Sequence, residues 1–282
     1  AIPTTSGTGS EATHFAAIYV RGRKVSVSHP SMRPAATVMD ASLHAKMPSR
    51  LAAVTGLDAL CQSLESMWAV GSTDESLAYS RLGAALVAQS LVESVTTGAA
   101  ASRAAMMWGT HAAGMAINIS KTTAPHALSY QLTSRFGIEH GLAAALTLGH
   151  IGRANARVEE HDCGDPRGAA WVRSRVQEAA ASLGATPDRL PSAVAVLLAQ
   201  MHLPTCLREA GVDRQALSTL AAEVDPVRLG NNPRILSVNT LVAALESAWL
   251  GPDSAAGGGR HEATTRSVLE CNPCVSSHRA PC

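Results

Sequence analysis

From Met47 to Leu250 the sequence runs in long Ala- and Leu-rich stretches with few β-branched clusters, a pattern that favours helices and leaves little room for a sheet. Turn signals divide it into predicted helices near 50–67, 73–97, 101–117, 125–135, 140–157, 168–184, 192–209, 214–223 and 237–250. Helix starts read at Thr55, with Asp58 three residues on, and at Ser72, where Glu75 completes a capping-box spacing. Pro204, Gly211 and the Asn231-Asn232-Pro233 turn punctuate the later helices. Ahead of them, residues 1 to about 45 are β-rich: Phe15 to Val20 reads as a strand, Arg21-Gly22-Arg23 as a turn, and Val25 to Ser28 as a return strand ended by Pro30. Thr37 to Asp40 reads as one more short strand. The predicted fold class is therefore mostly α, a helical unit behind a small β segment. Beyond Leu250 the chain turns Gly-rich, polar and aperiodic, so residues 251–282 are expected to be a disordered tail.

The formal charge is +1, with acidic and basic residues interspersed and no basic run, which argues against nucleic acid or an anionic membrane as partner. No apolar stretch approaches the roughly 20 residues that span a bilayer, and no signal peptide precedes the first motif, so a cytoplasmic location is expected. Small molecules or like subunits are the expected partners. Cys61, Cys163 and Cys206 are far apart in helix-like sequence, while Cys271, Cys274 and Cys282 crowd the end, which is not a disulfide framework. Cys271 and Cys274 with His278 and Cys282 invite a zinc reading, but no second well-spaced pair supports it. The chain opens at Ala1 inside a motif, without Met or a preceding strand, which predicts a missing upstream part.

Three stretches could carry chemistry. On a helix, Asp58 and Gln62 are four residues apart and project from one face, where a carboxylate and an amide oxygen could meet a hard cation. The bland alternative is an acid serving a cap begun at Thr55 and a solvated glutamine. His126 and His140 each stand at a predicted helix start with a turn between, so both imidazoles can reach one point; each could equally bond local backbone. The hydroxyl- and glycine-rich loop Pro3-Thr4-Thr5-Ser6-Gly7-Thr8-Gly9-Ser10-Glu11 could let backbone approach a phosphate or a nicotinamide amide, or could be a flexible terminus with a cap from Thr8 to Glu11.

Taken together, PTTSGTGSE (3–11), TGLDALCQSLES (55–66), HALSY and GIEHG around His126 and His140, and NNPR (231–234) resemble the iron-containing, or group III, alcohol dehydrogenase family over about residues 1–250. The resemblance implies a dinucleotide-binding domain facing an all-helical domain, with a divalent metal in the cleft. Residues 1–46 would then be the remnant of the dinucleotide-binding domain and 47–250 the metal-binding catalytic domain. Asp58, His126 and His140 match metal ligands and the catalytic set, while Gln62 stands where most members have His and Tyr130 where many have a further active-site His. The amide oxygen of Gln62 is a weaker donor than imidazole, so affinity could fall or the preferred ion change. Thr4, Thr5, Ser6, Gly7, Thr8 and Ser10 match the loop lining the nicotinamide side of NADH or NADPH. The implied ion is Fe2+, with Zn2+ as the alternative, and a homodimer is expected because family members commonly associate.

Gln62 in place of His, with the stretch Ala116 to Tyr130, is similar to the phosphonoacetaldehyde reductases of phosphonate natural-product pathways. A phosphonate needs cationic or hydroxyl groups to receive it, and Lys121, Thr122, Thr123 and Arg135 lie near the proposed ligands, with Tyr130 a further substrate-side candidate; Lys121 and Arg135 could equally be surface charges at helix ends. The expected function is metal-dependent reduction of a small aldehyde. The alternatives are an iron-type dehydrogenase of simple alcohols or diols, and an inactive, truncated helical binding module.

Overall fold

A computed structural model describes residues 1–20 and 23–251. Its elements are a hairpin of β1 (Phe15–Val20) and β2 (Arg23–Ser28), then α1 (Ser49–Trp68), α2 (Asp74–Thr96), α3 (Ala100–Ser120), α4 (Ala124–Phe136), α5 (His140–Asn155), α6 (Ala169–Ala181), α7 (Leu190–Gln200), α8 (Leu217–Ala222), α9 (Pro226–Leu229) and α10 (Val238–Leu250). The predicted mostly α class is the observed one, with one two-stranded antiparallel sheet among the described residues, Phe15 opposite Ser28. The predicted turn at residues 21 and 22 and the tail from 252 on, with its cysteines, lie outside the described residues. Among those described, no helix is long and apolar enough to cross a membrane.

The centre of the molecule is α1. From Ala52 to Trp68 every residue except Thr55 is buried, so this helix has no solvated face and is packed by α2, α3, α5 and α6. Its polar residues Asp58, Gln62 and Glu65 are therefore inside, where they need partners. The N-terminal segment is fastened to the helices by side-chain bonds. Arg103 donates to the carbonyls of His44 and Met47, the Asn118 carboxamide accepts from the backbone N–H of His14, and His111 pairs with Glu11 at 3.0 Å. Gly9 and Gly114 meet backbone to backbone, since a Cβ on Gly114 would lie 2.7 Å from the Gly9 carbonyl oxygen. That contact brings the Thr8 to Ser10 loop down onto α3.

Several local expectations change. α1 starts at Ser49, one residue from the predicted bound of 50, with Pro48 as its N-cap seven residues ahead of Thr55, which instead donates its hydroxyl to the carbonyls of Leu51 and Ser6. Asp58 is consequently an interior residue of the helix and not part of a cap. The box opening α2 is built from Thr73 and Ser76, one residue beyond the predicted Ser72 and Glu75. Residues 37–40 form no strand: the Val38 N–H bonds the Ala1 carbonyl at 2.9 Å, the Asp40 carbonyl accepts from the Leu43 N–H at 3.2 Å to open a helical turn, and no ladder forms. The predicted helix 192–209 stops at Gln200, after which His202 takes a positive φ of 56° ahead of Pro204. Cys163 sits in an isolated bridge with Arg234, outside any helix.

One contact sets the distance between the two halves of the site. A Cβ on Gly141 would lie 1.9 Å from the carbonyl oxygen of Val54 and 2.9 Å from Asp58 Cβ, so only glycine lets the start of α5 lie against α1. Gly141→Ala is expected to cost about 3 kcal/mol or more, as overpacking against backbone does, and to weaken divalent-metal binding. Urea unfolding and metal titration of the variant check both.

His150 on α5 is buried, and burial together with the Arg153 charge pushes its pKa down to about 3. Ser247 Oγ accepts from Arg153 at 2.7 Å and so donates to His150 Nδ1 at 3.0 Å, which fits a neutral ring. The unfolded chain, with an ordinary value near 6.5, takes up the proton first, so stability present above pH 6.5 is lost on acidification toward 3. In EDTA, His150→Gln should lose about 2 kcal/mol less than the parent between pH 6.5 and 5, read from paired melts.

Candidate metal centre

Asp58, Gln62 and Glu65 follow one another at the spacing of a single helix face, so α1 presents three polar side chains in line. Opposite them, α4 begins with Pro125 in its first turn and carries His126, and α5 begins with His140. One ligand atom each from Asp58, His126 and His140 lies within 4.8 Å of the others, a spacing that fits a single ion. The His126 and His140 rings meet edge to face at 5.3 Å.

Hydrogen bonds decide which nitrogens face the centre. His126 Nδ1 lies 2.5 Å from Glu65 Oε1, so the ring donates there and turns the Nε2 lone pair inward, 3.1 Å from Asp58 Oδ1. The other oxygen of Glu65 accepts from the Thr123 N–H at 2.7 Å and the Thr123 hydroxyl at 2.9 Å, and Trp68 Nε1 donates to that hydroxyl at 3.0 Å. Glu65 is thus a fully buried and saturated orienting group. Ser129 Oγ donates to the His126 carbonyl at 2.7 Å and therefore accepts from His140 Nδ1 at 3.1 Å, which puts the His140 lone pair on Nε2.

Two observations test whether the donor set fits a cation. Burial alone would lower the His126 pKa, but the flanking carboxylates of Glu65 and Asp58 outweigh it and push the value up to about 10. The site attracts positive charge, which a proton or a metal ion can supply. The second is Gln62: its Nε2 donates to Asp58 Oδ2 at 3.1 Å, while its buried Oε1 has no hydrogen-bond partner, an acceptor that coordination would satisfy. A carboxylate, two imidazoles and an amide oxygen suit Fe2+ or Zn2+.

These side chains form the floor of a cavity of about 600 Å³, which is also lined by Thr8, Ser10, Lys121, Thr122 and Tyr130. Of the N-terminal loop, Thr8 and Ser10 reach the cavity, while Ser6 is turned inward with its Oγ 2.6 Å from His44 Nδ1 and Gly7 is pressed against Thr55. Thr4 and Thr5 are not among the lining residues, Thr4 lying exposed. Arg135 is also outside the lining, at the end of α4, where it pairs with Glu223. Lys121 and Thr122 sit in the α3–α4 turn. Lys121 holds a positive φ of 63°, a strained conformation for a side chain with a Cβ. Asn231 over-determines that turn: its Nδ2 donates to the carbonyls of Ser120 and Thr122, both at 2.9 Å.

The family model described as the Fe-containing alcohol dehydrogenase family, C-terminal, matches residues 52–249. The chain belongs to the iron-containing alcohol dehydrogenase family. A second model, iron-containing alcohol dehydrogenase, matches residues 1–41. Among similar family members, a phosphonoacetaldehyde reductase of Streptomyces viridochromogenes is 39% identical over 86% of this chain and 61% of its own length. A probable alcohol dehydrogenase EutG of Escherichia coli is 31% identical over 88% of this chain and 61% of its own. The solved sulfoacetaldehyde reductase of Bifidobacterium kashiwanohense, in complex with NAD+, superposes with a TM-score of 0.76 at 28% identity, over 87% of this chain and 63% of that one. The chain thus spans about three-fifths of the length of these relatives.

Glu65, Ser129, the clamping role of Asn231, and Arg228 are functional features that sequence pattern alone does not single out. Glu65 was discernible as the third member of the Asp58, Gln62 series, seven residues on. Replacing it by Gln leaves the volume but makes the bond to His126 Nδ1 ambiguous. Glu65→Gln should weaken divalent-metal affinity about 10- to 100-fold, as loss of an orienting carboxylate does, with the fold retained; competition against a chelator measures it.

Proposed function

We propose that the chain is the metal-holding part of an NAD(P)H-dependent reductase of small aldehydes, with phosphonoacetaldehyde as the substrate and 2-hydroxyethylphosphonate as the product. The observation that carries this reading is the convergence of Asp58, His126 and His140, within 4.8 Å, at the floor of a cavity large enough for a short substrate. Asp58, Gln62, His126 and His140 would hold Fe2+, or Zn2+ in its place. When bound, the ion polarises the carbonyl as a Lewis acid, and the nicotinamide supplies the hydride.

The chain's own residues do the rest. Glu65 keeps His126 in the tautomer that directs Nε2 to the centre, and Ser129 does the same for His140. Thr8 and Ser10, at the cavity wall, carry the cofactor-side part of the loop, with Ser6 and Gly7 shaping its path. Ile117 and Ala127 give the cavity apolar surface that limits water beside the reacting carbon. Tyr130 packs its ring edge on His140 at 5.3 Å and closes the substrate side. Lys121 and Thr122 face the substrate, and the likeness to the Streptomyces phosphonoacetaldehyde reductase supports a phosphonate as its distal group.

The test is NADH and NADPH consumption with phosphonoacetaldehyde and with propanal by the metal-loaded protein, alongside metal content. His126→Ala should lose bound metal and at least ~100-fold in turnover, since the Lewis acid accounts for several kcal/mol of charge stabilisation. Undiminished turnover in that variant rejects the ligand assignment. Preference for propanal over the charged aldehyde would favour a dehydrogenase of simple alcohols.

A further inference from the structure

The cavity carries two cations that the metal chemistry does not use. Lys121, in the turn clamped by Asn231, has its Nζ 3.1 Å from His14 Nε2 and 4.5 Å from the centre of the Phe15 ring. The His14 tautomer is fixed from behind. Asn118 Oδ1 accepts the His14 backbone N–H at 2.9 Å, so it is an oxygen, and it also lies 2.5 Å from His14 Nδ1, which must therefore donate. His14 Nε2 is left to accept from the lysine. Lys121 is thus held by a neutral acceptor and an aromatic face, and among the described residues no carboxylate pairs with it.

Arg228 is the second cation. It comes from the short α9, whose start is capped by Asp225 Oδ1 accepting from the Val227 N–H at 2.9 Å. Its guanidinium lies 4.2 Å from the centre of the Tyr130 ring, and its one carboxylate contact among the described residues, with Asp225, is long at 3.4 Å. Tyr130 in turn packs against His140 at 5.3 Å, so a single ring separates Arg228 from the metal centre. Asp225 is not among the residues that line the cavity, whereas Arg228 is. Arg135, the arginine that sequence proximity suggested, is engaged with Glu223 outside the lining.

We propose that Lys121 and Arg228 together form a dianion subsite of the cavity, which receives the phosphonate of a short substrate while its carbonyl faces the Asp58, His126 and His140 centre. This rests on the aldehyde-reductase reading above and adds to it the second binding cation and the charge that the site accepts. The two groups differ in kind: a lysine supplies a point charge, and a guanidinium supplies paired N–H donors that match two oxygens of one tetrahedral anion. Asn231 acts as a positioning residue, because it bonds the carbonyls on both sides of Lys121.

Calorimetric titration of the metal-loaded protein with methylphosphonate, at a pH where that probe is a dianion, tests the subsite without requiring turnover. Lys121→Met and Arg228→Gln should each weaken binding about 10- to 100-fold, the range of a lost charge-assisted contact. Arg228→Lys should recover part of the loss, and Arg135→Met should bind as the parent does. Asp225→Asn keeps the cap but removes the ion pair, and should bind as tightly as the parent or tighter. The proposal is overturned if the parent does not bind methylphosphonate, if Arg228→Gln binds as the parent does, or if Asp225→Asn loses as much as Arg228→Gln. Aldehyde turnover by the parent protein is read separately: its absence would remove the reductase reading while the titration still decides the subsite.

Discussion

The structure depends on a saturated carboxylate at the centre of a buried helix. Glu65 has no exposed surface, and its two oxygens are taken by His126 and by the backbone and hydroxyl of Thr123. Those bonds join α1 to the start of α4 and fix the direction of one imidazole. A buried carboxylate with fewer partners would carry a large desolvation cost. With them it becomes a rigid reference, and Asp58 and Gln62, lying two turns and one turn before it on the same face, inherit its precision.

The second constraint is steric. α5 reaches α1 because Gly141 has no Cβ, and His140 arrives one residue earlier, beside Asp58. Two unrelated devices, a hydrogen-bonded acid and a missing methyl group, therefore place the two histidines. The NNPR stretch supplies a third. Asn231 ties down the turn before α4, Asn232 exchanges bonds with Asn155, and Arg234 bonds Asp162 and the Ala154 carbonyl. This motif shapes the cavity wall from outside the metal centre, which explains why its residues look unreactive.

That Asp58 and Gln62 share one face of a helix was legible in the sequence, because helical period alone puts them together, whatever starts the helix. The predicted bounds of 50–67 hold to within a residue, but the cap signal at Thr55 misleads: its side chain is a good capping group, yet Pro48 holds the N-cap position and tertiary contact with Ser6 employs the Thr55 hydroxyl. The pairing of His126 with His140 could be anticipated from two helix starts separated by one turn. What joins them to α1 could not, since Glu65 and Gly141 act through contacts distant in sequence. Arg135 illustrates the same limit. It lies near the histidines along the chain, yet the arginine at the cavity is Arg228, brought there by a four-residue helix that carries no apolar periodicity.

The central claim is that four side chains from α1, α4 and α5 share one cation. Anomalous diffraction at the iron edge, from crystals of the protein grown with Fe2+, tests it most directly. A single strong peak is expected within about 2.3 Å of donor atoms from Asp58, His126 and His140, with the Gln62 amide turned to present its oxygen. A peak held elsewhere, or one that His126 does not touch, would contradict it.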